Sequence, residues 1–465
     1  MRKFAIAATL LLLLAFAIPI EHKYDKLFRV FSLALIPKEL GVSLSYNKKI
    51  YFYISDLVVM ALFFMGLFLF RIRLKSFFGD PLWVVFLCAV LSIIISPFSN
   101  YPIPYFRLLQ LFTPIALFSF LKSAFSNEER SKITRWIWIS LSLAGLFQTG
   151  IAIAQYFHEG PLGLRLLGES KQISSILVLD GSRWTLDQLF SVNLPTIVKM
   201  RAAGTFPHAN VLGGFLVLSI LSTYALIMQA KKGRFWLAMT LPFQFFAMSL
   251  TFSRSAIFGW VLASLIWFGI LFYKHGLQHK TIRFLAILMA CSAVLTFGLL
   301  YQQILNRGGI VNYNAFVKGS DQVRVQQQNL ALEIIKQNPF FGVGYTQFSE
   351  RAIDYFDKNA DAQVKSTAPH NIFLFLACET GLVSVAAFIA FIGMLLWSSI
   401  KAPMTTETTT LISLFIAFLF IGCCDFYPIL FQQGKLMFFT LAGLLAANVA
   451  SQRNHQSSLF PSTDP

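Results

Sequence analysis

Long apolar runs alternate with short basic interruptions along this chain, and that rhythm sets its class. A helix needs about 20 mostly apolar residues to cross the hydrocarbon core of a bilayer. Runs of this kind centre on residues 4–20, 54–70, 82–97, 104–121, 135–156, 210–229, 235–252, 256–273, 284–301, 372–399, 409–424 and 436–450. They predict an all-α polytopic membrane protein with about twelve transmembrane helices. The stretch from 235 to 273 covers 39 positions, too many for one span, so a hairpin break is expected near Ser253-Arg254. Outside the spans, Gln322 to Gln337 reads as a helix, capped by Asp321 and stopped by Asn338-Pro339. Leu330, Ile334 and Phe341 are expected to face the membrane domain.

Orientation follows from Lys and Arg in the short connections. With the N-terminus inside, the cytoplasmic side receives Arg71, Arg73 and Lys75, then Lys122, Arg130, Lys132 and Arg135. Lys231, Lys232 and Arg234 follow there, as do Lys274, Lys280 and Arg283. The polar stretches 157–208 and 302–370 then form a first periplasmic segment and a large periplasmic loop. Residues 21–50 run against the rule, lying outside with six basic residues. Leu27, Phe28, Val30, Phe31 and Leu33 are interleaved with those charges, which predicts an interfacial helix. Residues 1–450 read as a single transmembrane domain and 451–465 as a disordered cytoplasmic tail. No small-residue cleavage site follows the first run, so it reads as a retained helix.

Composition narrows the function classes. The chain is 56% hydrophobic and 13% charged, with 50 Phe, against roughly 25% charged in soluble domains. Its net charge of +17 is spread between apolar runs rather than gathered in a patch. That disfavours nucleic acid and favours anionic headgroups or phosphorylated substrates. The five cysteines lie in apolar segments with neither disulfide nor metal spacing. No Asp-x-Asp pair and no Gly-rich nucleotide loop is present.

Three residues stand out as candidates for chemistry. His370 lies in Pro369-His370-Asn371, where the second polar stretch meets an apolar run. An imidazole at a membrane rim suits a general base, and a backbone-bonded structural histidine is the alternative. Arg254 lies between two apolar runs in Thr251-Phe252-Ser253-Arg254-Ser255-Ala256. A charge there demands a partner or water, and guanidinium binds phosphate oxygens in bidentate fashion. The alternative is a turn arginine snorkelling to the surface. Arg201 opens the re-entry turn Arg201-Ala202-Ala203-Gly204-Thr205-Phe206-Pro207-His208-Ala209-Asn210, where a solvated loop arginine is the competing reading. His275 and His279 have helical metal spacing but no third ligand, so no metal site is expected. The predicted topology puts Arg201, Arg254 and His370 on the outer side together, an arrangement suited to a diphosphate leaving group and a hydroxyl nucleophile.

Four motifs occur in a fixed order: the Arg201-to-Asn210 turn, Ser253-Arg254-Ser255, Arg324 with Asn338-Pro339-x-x-Gly342-x-Gly344, and His370-Asn371 with Glu379-x-Gly381. This order resembles the O-antigen ligase and polymerase superfamily over residues 200–400, and the N-terminal half by topology alone. The resemblance implies a GT-C-like glycosyltransferase of the bacterial inner membrane, acting at the periplasmic face. The donor would be an undecaprenyl-diphosphate-linked glycan and the acceptor lipid A-core or a growing glycan. It further implies that Arg201 and Arg254 hold the diphosphate, that His370 activates the acceptor hydroxyl, and that direct attack inverts the anomeric centre. Arg324 is implied as a substrate-binding residue. Neither metal nor nucleotide is required on that scheme. Glycan polymerases and protein O-oligosaccharyltransferases share these motifs. A transporter or flippase is a rival of another class, disfavoured because the notable charges gather at one face rather than at mid-membrane.

Overall fold

The computed structural model describes residues 2–17, 53–72, 78–96, 102–170, 175–179, 196–308, 315–352, 355 and 368–459. Its first helices are α1 (Arg2–Ala17), α2 (Ile54–Phe68), α3 (Leu82–Ile95), α4 (Pro102–Ser123) and α5 (Asn127–His158). A two-stranded antiparallel ladder follows, β1 (Ser175–Leu179) on β2 (Thr196–Met200), with Ser175 opposite Met200. Then come α6 (Ala209–Gln229), α7 (Arg234–Met239), α8 (Leu241–Ser249), α9 (Arg254–His275) and α10 (Lys280–Gly308). The remainder is α11 (Ala315–Gln337), α12 (Ile372–Ile400), α13 (Thr406–Cys424) and α14 (Gln432–Leu459), with short helices at Phe348–Ala352 and Tyr427–Leu430.

Among the described residues, eight helices are long and apolar enough to cross a membrane: α4, α5, α6, α9, α10, α12, α13 and α14. Shorter apolar helices fill the predicted spans at α1, α2 and α3. The predicted span 235–252 is two pieces, α7 and α8, separated at Thr240. Pro242 sits in the first turn of α8, where its missing N–H does no harm but where it starts a helix rather than continues one. The expected break near Ser253-Arg254 is present, between the end of α8 and the start of α9.

Several expectations are corrected. The chain splits into two compact units, residues 1–137 with 323–465 and residues 138–322. Helix α11 begins at Ala315, so Asp321 lies inside it rather than at its start. Leu330 and Ile334 are buried, but Phe341 is exposed. The helix α14 continues to Leu459 instead of ending at 450. Gln and Arg, good helix formers, carry it through that stretch. The interfacial helix expected in 21–50 lies outside the described residues.

In the first unit, α14 packs along α4, and a proline decides the chemistry of that contact. Pro114 lies inside α4 and has no N–H, so the carbonyl of Gln110, four residues back, loses its helical donor. Lys435 of α14 replaces it, donating from Nζ to Gln110 O at 2.8 Å. Lys435 is only 3% exposed, and Asp56 of α2 supplies the opposing charge. Asp56 Oδ1 in turn accepts from Thr113 at 2.7 Å and from Gln432 Nε2 at 2.9 Å. A buried charge is tolerable only with such partners.

A second interruption explains the glycine-rich motif. Helix α12 breaks at Gly381, whose φ is +83°. The segment 339–348 closes over the break: Val343 N donates to Cys378 O, Gly344 N to Glu379 O, and Leu382 N to Pro339 O. The Glu379 carboxylate accepts from Thr346 N at 2.9 Å. A Cβ on Gly381 would lie 1.9 Å from Phe340 O, and one on Gly342 would lie 2.4 Å from Cys378 O. Only glycine permits these approaches. Ser92 of α3 and Ser96, the residue after that helix, bond the same segment, at Tyr345 N and Val343 O. Leu330, Ala331, Ile334, Val343, Phe348 and Cys378 form the apolar core beneath.

Candidate active site

In the second unit, Arg254 is the first residue of α9 and is half-buried. Ser253 precedes it as the N-cap, its side chain accepting from Ala256 N. The first-turn amides and the helix dipole favour an anion at this end, and the guanidinium adds a full positive charge. Close approach of α6 fixes where the helix starts, since a Cβ on Gly213 would meet Ala256 Cβ at 2.7 Å. The residue before the cap, Phe252, holds φ at +47°. A non-glycine residue persists there only when its surroundings over-determine it. Phe252 is 2% exposed and packs against Tyr156 and Ile304.

Arg201 belongs to the same framework. It is 4% exposed. Its Nε donates to Thr251 O at 2.8 Å and its Nη2 to Asn210 Oδ1 at 2.5 Å. Ala202 N adds a bond to Leu250 O at 3.1 Å. The re-entry turn and the turn before Arg254 are therefore stitched edge to edge. His208 accepts Asn210 N on Nδ1 and caps α6. His279 likewise accepts Ile282 N, at 3.4 Å, near the start of α10.

In the first unit, His370 precedes the N-cap of α12. Asn371 caps that helix through Oδ1, which accepts from Phe373 N and Leu374 N. Its Nδ2 donates to Cys423 O at 3.1 Å, tying the cap to the end of α13. Asp425 follows α13 as its C-cap residue, and its Oδ1 lies 3.4 Å from His370 Nδ1. That separation is within ion-pair reach, yet Nδ1 is buried without an aligned hydrogen bond. The Asp425 side chain is 5% exposed and the His370 side chain 22%. Since Nδ1 is covered, the exposure lies on the rest of the ring. Phe426 packs on the imidazole with centroids 4.8 Å apart. Burial, reinforced by the Asp425 charge, pushes the Tyr427 phenol well above its usual range and keeps it neutral.

The structure thus joins Arg201 to the Arg254 turn, and puts His370 beside an acid that the sequence pattern alone did not single out. Asp425 was legible in principle: it is an ionisable group ending an apolar run. Arg324 is half-buried on α11, in the same unit as His370. Residues 238–389 match the family model described as O-Antigen ligase. The match includes Arg254, Arg324 and His370, while Arg201 and Asp425 lie outside it. No curated protein matches the chain.

Proposed function

We propose that this protein transfers a glycan from undecaprenyl diphosphate to an acceptor hydroxyl, because residues 238–389 match the O-antigen ligase family model and eight of the described helices are long and apolar enough to cross a membrane. The acceptor in this reading is lipid A-core, and the reaction takes place at the periplasmic face of the inner membrane. The acceptor oxygen attacks the anomeric carbon while the bond from that carbon to the diphosphate oxygen breaks. Direct attack inverts the anomeric centre. His370 takes the hydroxyl proton, and undecaprenyl diphosphate leaves with the bonding electron pair. Arg254 and the first turn of α9 neutralise the charge that develops on the diphosphate. Arg201 contributes from beneath, and Arg324 binds substrate.

The observation that carries this reading is the pairing of His370 with Asp425. A carboxylate close to Nδ1 stabilises the imidazolium that forms when the other nitrogen takes a proton. The test is reconstitution in proteoliposomes with undecaprenyl-diphosphate-linked glycan and lipid A-core. Glycan on lipid A-core is the expected product. Lengthened glycan on undecaprenyl diphosphate would instead establish a polymerase, and glycan on protein an oligosaccharyltransferase.

A further inference from the structure

Two glutamines on α5 have no part in the reaction as drawn, yet no polar atom of either is idle. Gln148 and Gln155 are seven residues apart, so they share one helix face, and both are at most 1% exposed. Gln148 Oε1 accepts from Thr205 N and its Nε2 donates to Thr205 Oγ1, both at 3.0 Å. Gln155 Oε1 accepts from Gly204 N at 2.8 Å and Ala203 N at 3.2 Å. Its Nε2 donates to Gly204 O at 2.9 Å and to Glu169 Oε1 at 2.6 Å. The Gln155 amide thus pairs with Gly204 N and O as a neighbouring strand would, while Gln148 holds the Thr205 amide and hydroxyl. Gly204 permits it, with φ at +59° and Gln148 Oε1 at 2.3 Å from where a Cβ would stand.

The other edge of this loop is the one that Arg201 and Ala202 bond to Thr251 O and Leu250 O. Tyr156, next to Gln155, packs on Phe252 with ring centroids 6.3 Å apart. A continuous path of satisfied contacts therefore runs from α5 through residues 201–205 to the turn that begins α9. We propose that Gln148 and Gln155 are positioning residues for Arg254, and that Arg201 acts through the same turn instead of touching substrate. Neutral amides suit this role, because they fix the backbone without adding charge that would compete with Arg254 for the diphosphate. The inference rests on the assignment of Arg254 to the diphosphate.

The test uses the full chain in nanodiscs with Gln155→Ala and, as a second variant in case that one fails to fold, Gln148→Ala. Amide hydrogen exchange reads the turn directly. The amides of Thr251, Phe252 and Ser253 are expected to exchange faster, with the interior of α9 and the first unit unchanged. Transfer from undecaprenyl-diphosphate-linked glycan is expected to fall on the order of 10-fold, and that loss should vanish in an Arg254→Ala background. Unchanged exchange at 251–253 overturns the proposal. So does a loss that simply multiplies with that of Arg254→Ala, since it would report general destabilisation. Faster exchange together with full transfer by Arg254→Ala upholds the link to the turn and removes Arg254 from the reaction instead.

Discussion

The surroundings of Arg254 and of His370 are built to opposite tolerances. The arginine stands on a turn held by a strained residue, a buried guanidinium bonded to Thr251 O and one backbone bond from a neighbouring loop. The histidine sits at the mouth of a helix, partly exposed, with its acidic neighbour close but not aligned. The contrast fits two different kinds of chemistry. A group that stabilises developing charge works by being fixed before the reaction, because reorganisation is what it saves. A base must accept a proton and give it up, and its hydrogen bonds are commonly loose until substrate arrives. The two units also differ in how they repair backbone. The second uses neutral glutamine amides, whereas the first uses the Lys435 ammonium and the Asp56 carboxylate.

The largest effect is expected at the loosely held end. His370→Ala should slow transfer by about 10²–10⁴-fold with little change in melting temperature, measured on purified protein. A variant that melts early but turns over at the parental rate would make His370 a structural residue. Next comes the fixed end. Arg254→Ala should cost about 10²–10³-fold in transfer rate, and Arg254→Lys should recover only part of it, because the bidentate fork is lost. Equal recovery by lysine would mean that only charge matters. A chelator should leave the parental rate unchanged in the same assay, and a chelator-sensitive rate would require a cation in the scheme. The smallest effect on chemistry, though not on stability, belongs to the backbone repair. Lys435→Met leaves Asp56 buried without its opposing charge and should destabilise the protein by about 3–5 kcal/mol. Adding Asp56→Asn should restore part of that loss in thermal unfolding. If Lys435→Met unfolds at the parental temperature, the ammonium is not what replaces the missing N–H of Pro114.

The helices were legible because apolar runs of membrane length have few other uses, and the break before Arg254 followed from counting residues 235 to 273. The interruption at Thr240 was not, since it depends on a single proline placed where a helix starts. The glycines of 338–344 and Gly381 were visible as a pattern. Their reason was not, because it lies in carbonyls some forty residues away, Cys378 O and Phe340 O. The burial of Arg201 was hidden for the same cause: one partner, Thr251 O, is 50 residues distant. Asp425 escaped notice beside Cys423-Cys424, where it reads as the end of a span. The side of the membrane rests on charge in short loops. A cysteine at Ser320 should be labelled from outside and one at Lys232 should not.

Division of labour is the central claim: Arg254 holds the diphosphate and His370 moves the proton. Binding of undecaprenyl diphosphate to the parent, Arg254→Ala and His370→Ala proteins in nanodiscs tests it most directly. The account predicts parental affinity for His370→Ala and a dissociation constant raised at least about 10-fold, roughly 1.4 kcal/mol, for Arg254→Ala. Lost binding in His370→Ala with intact binding in Arg254→Ala would contradict it.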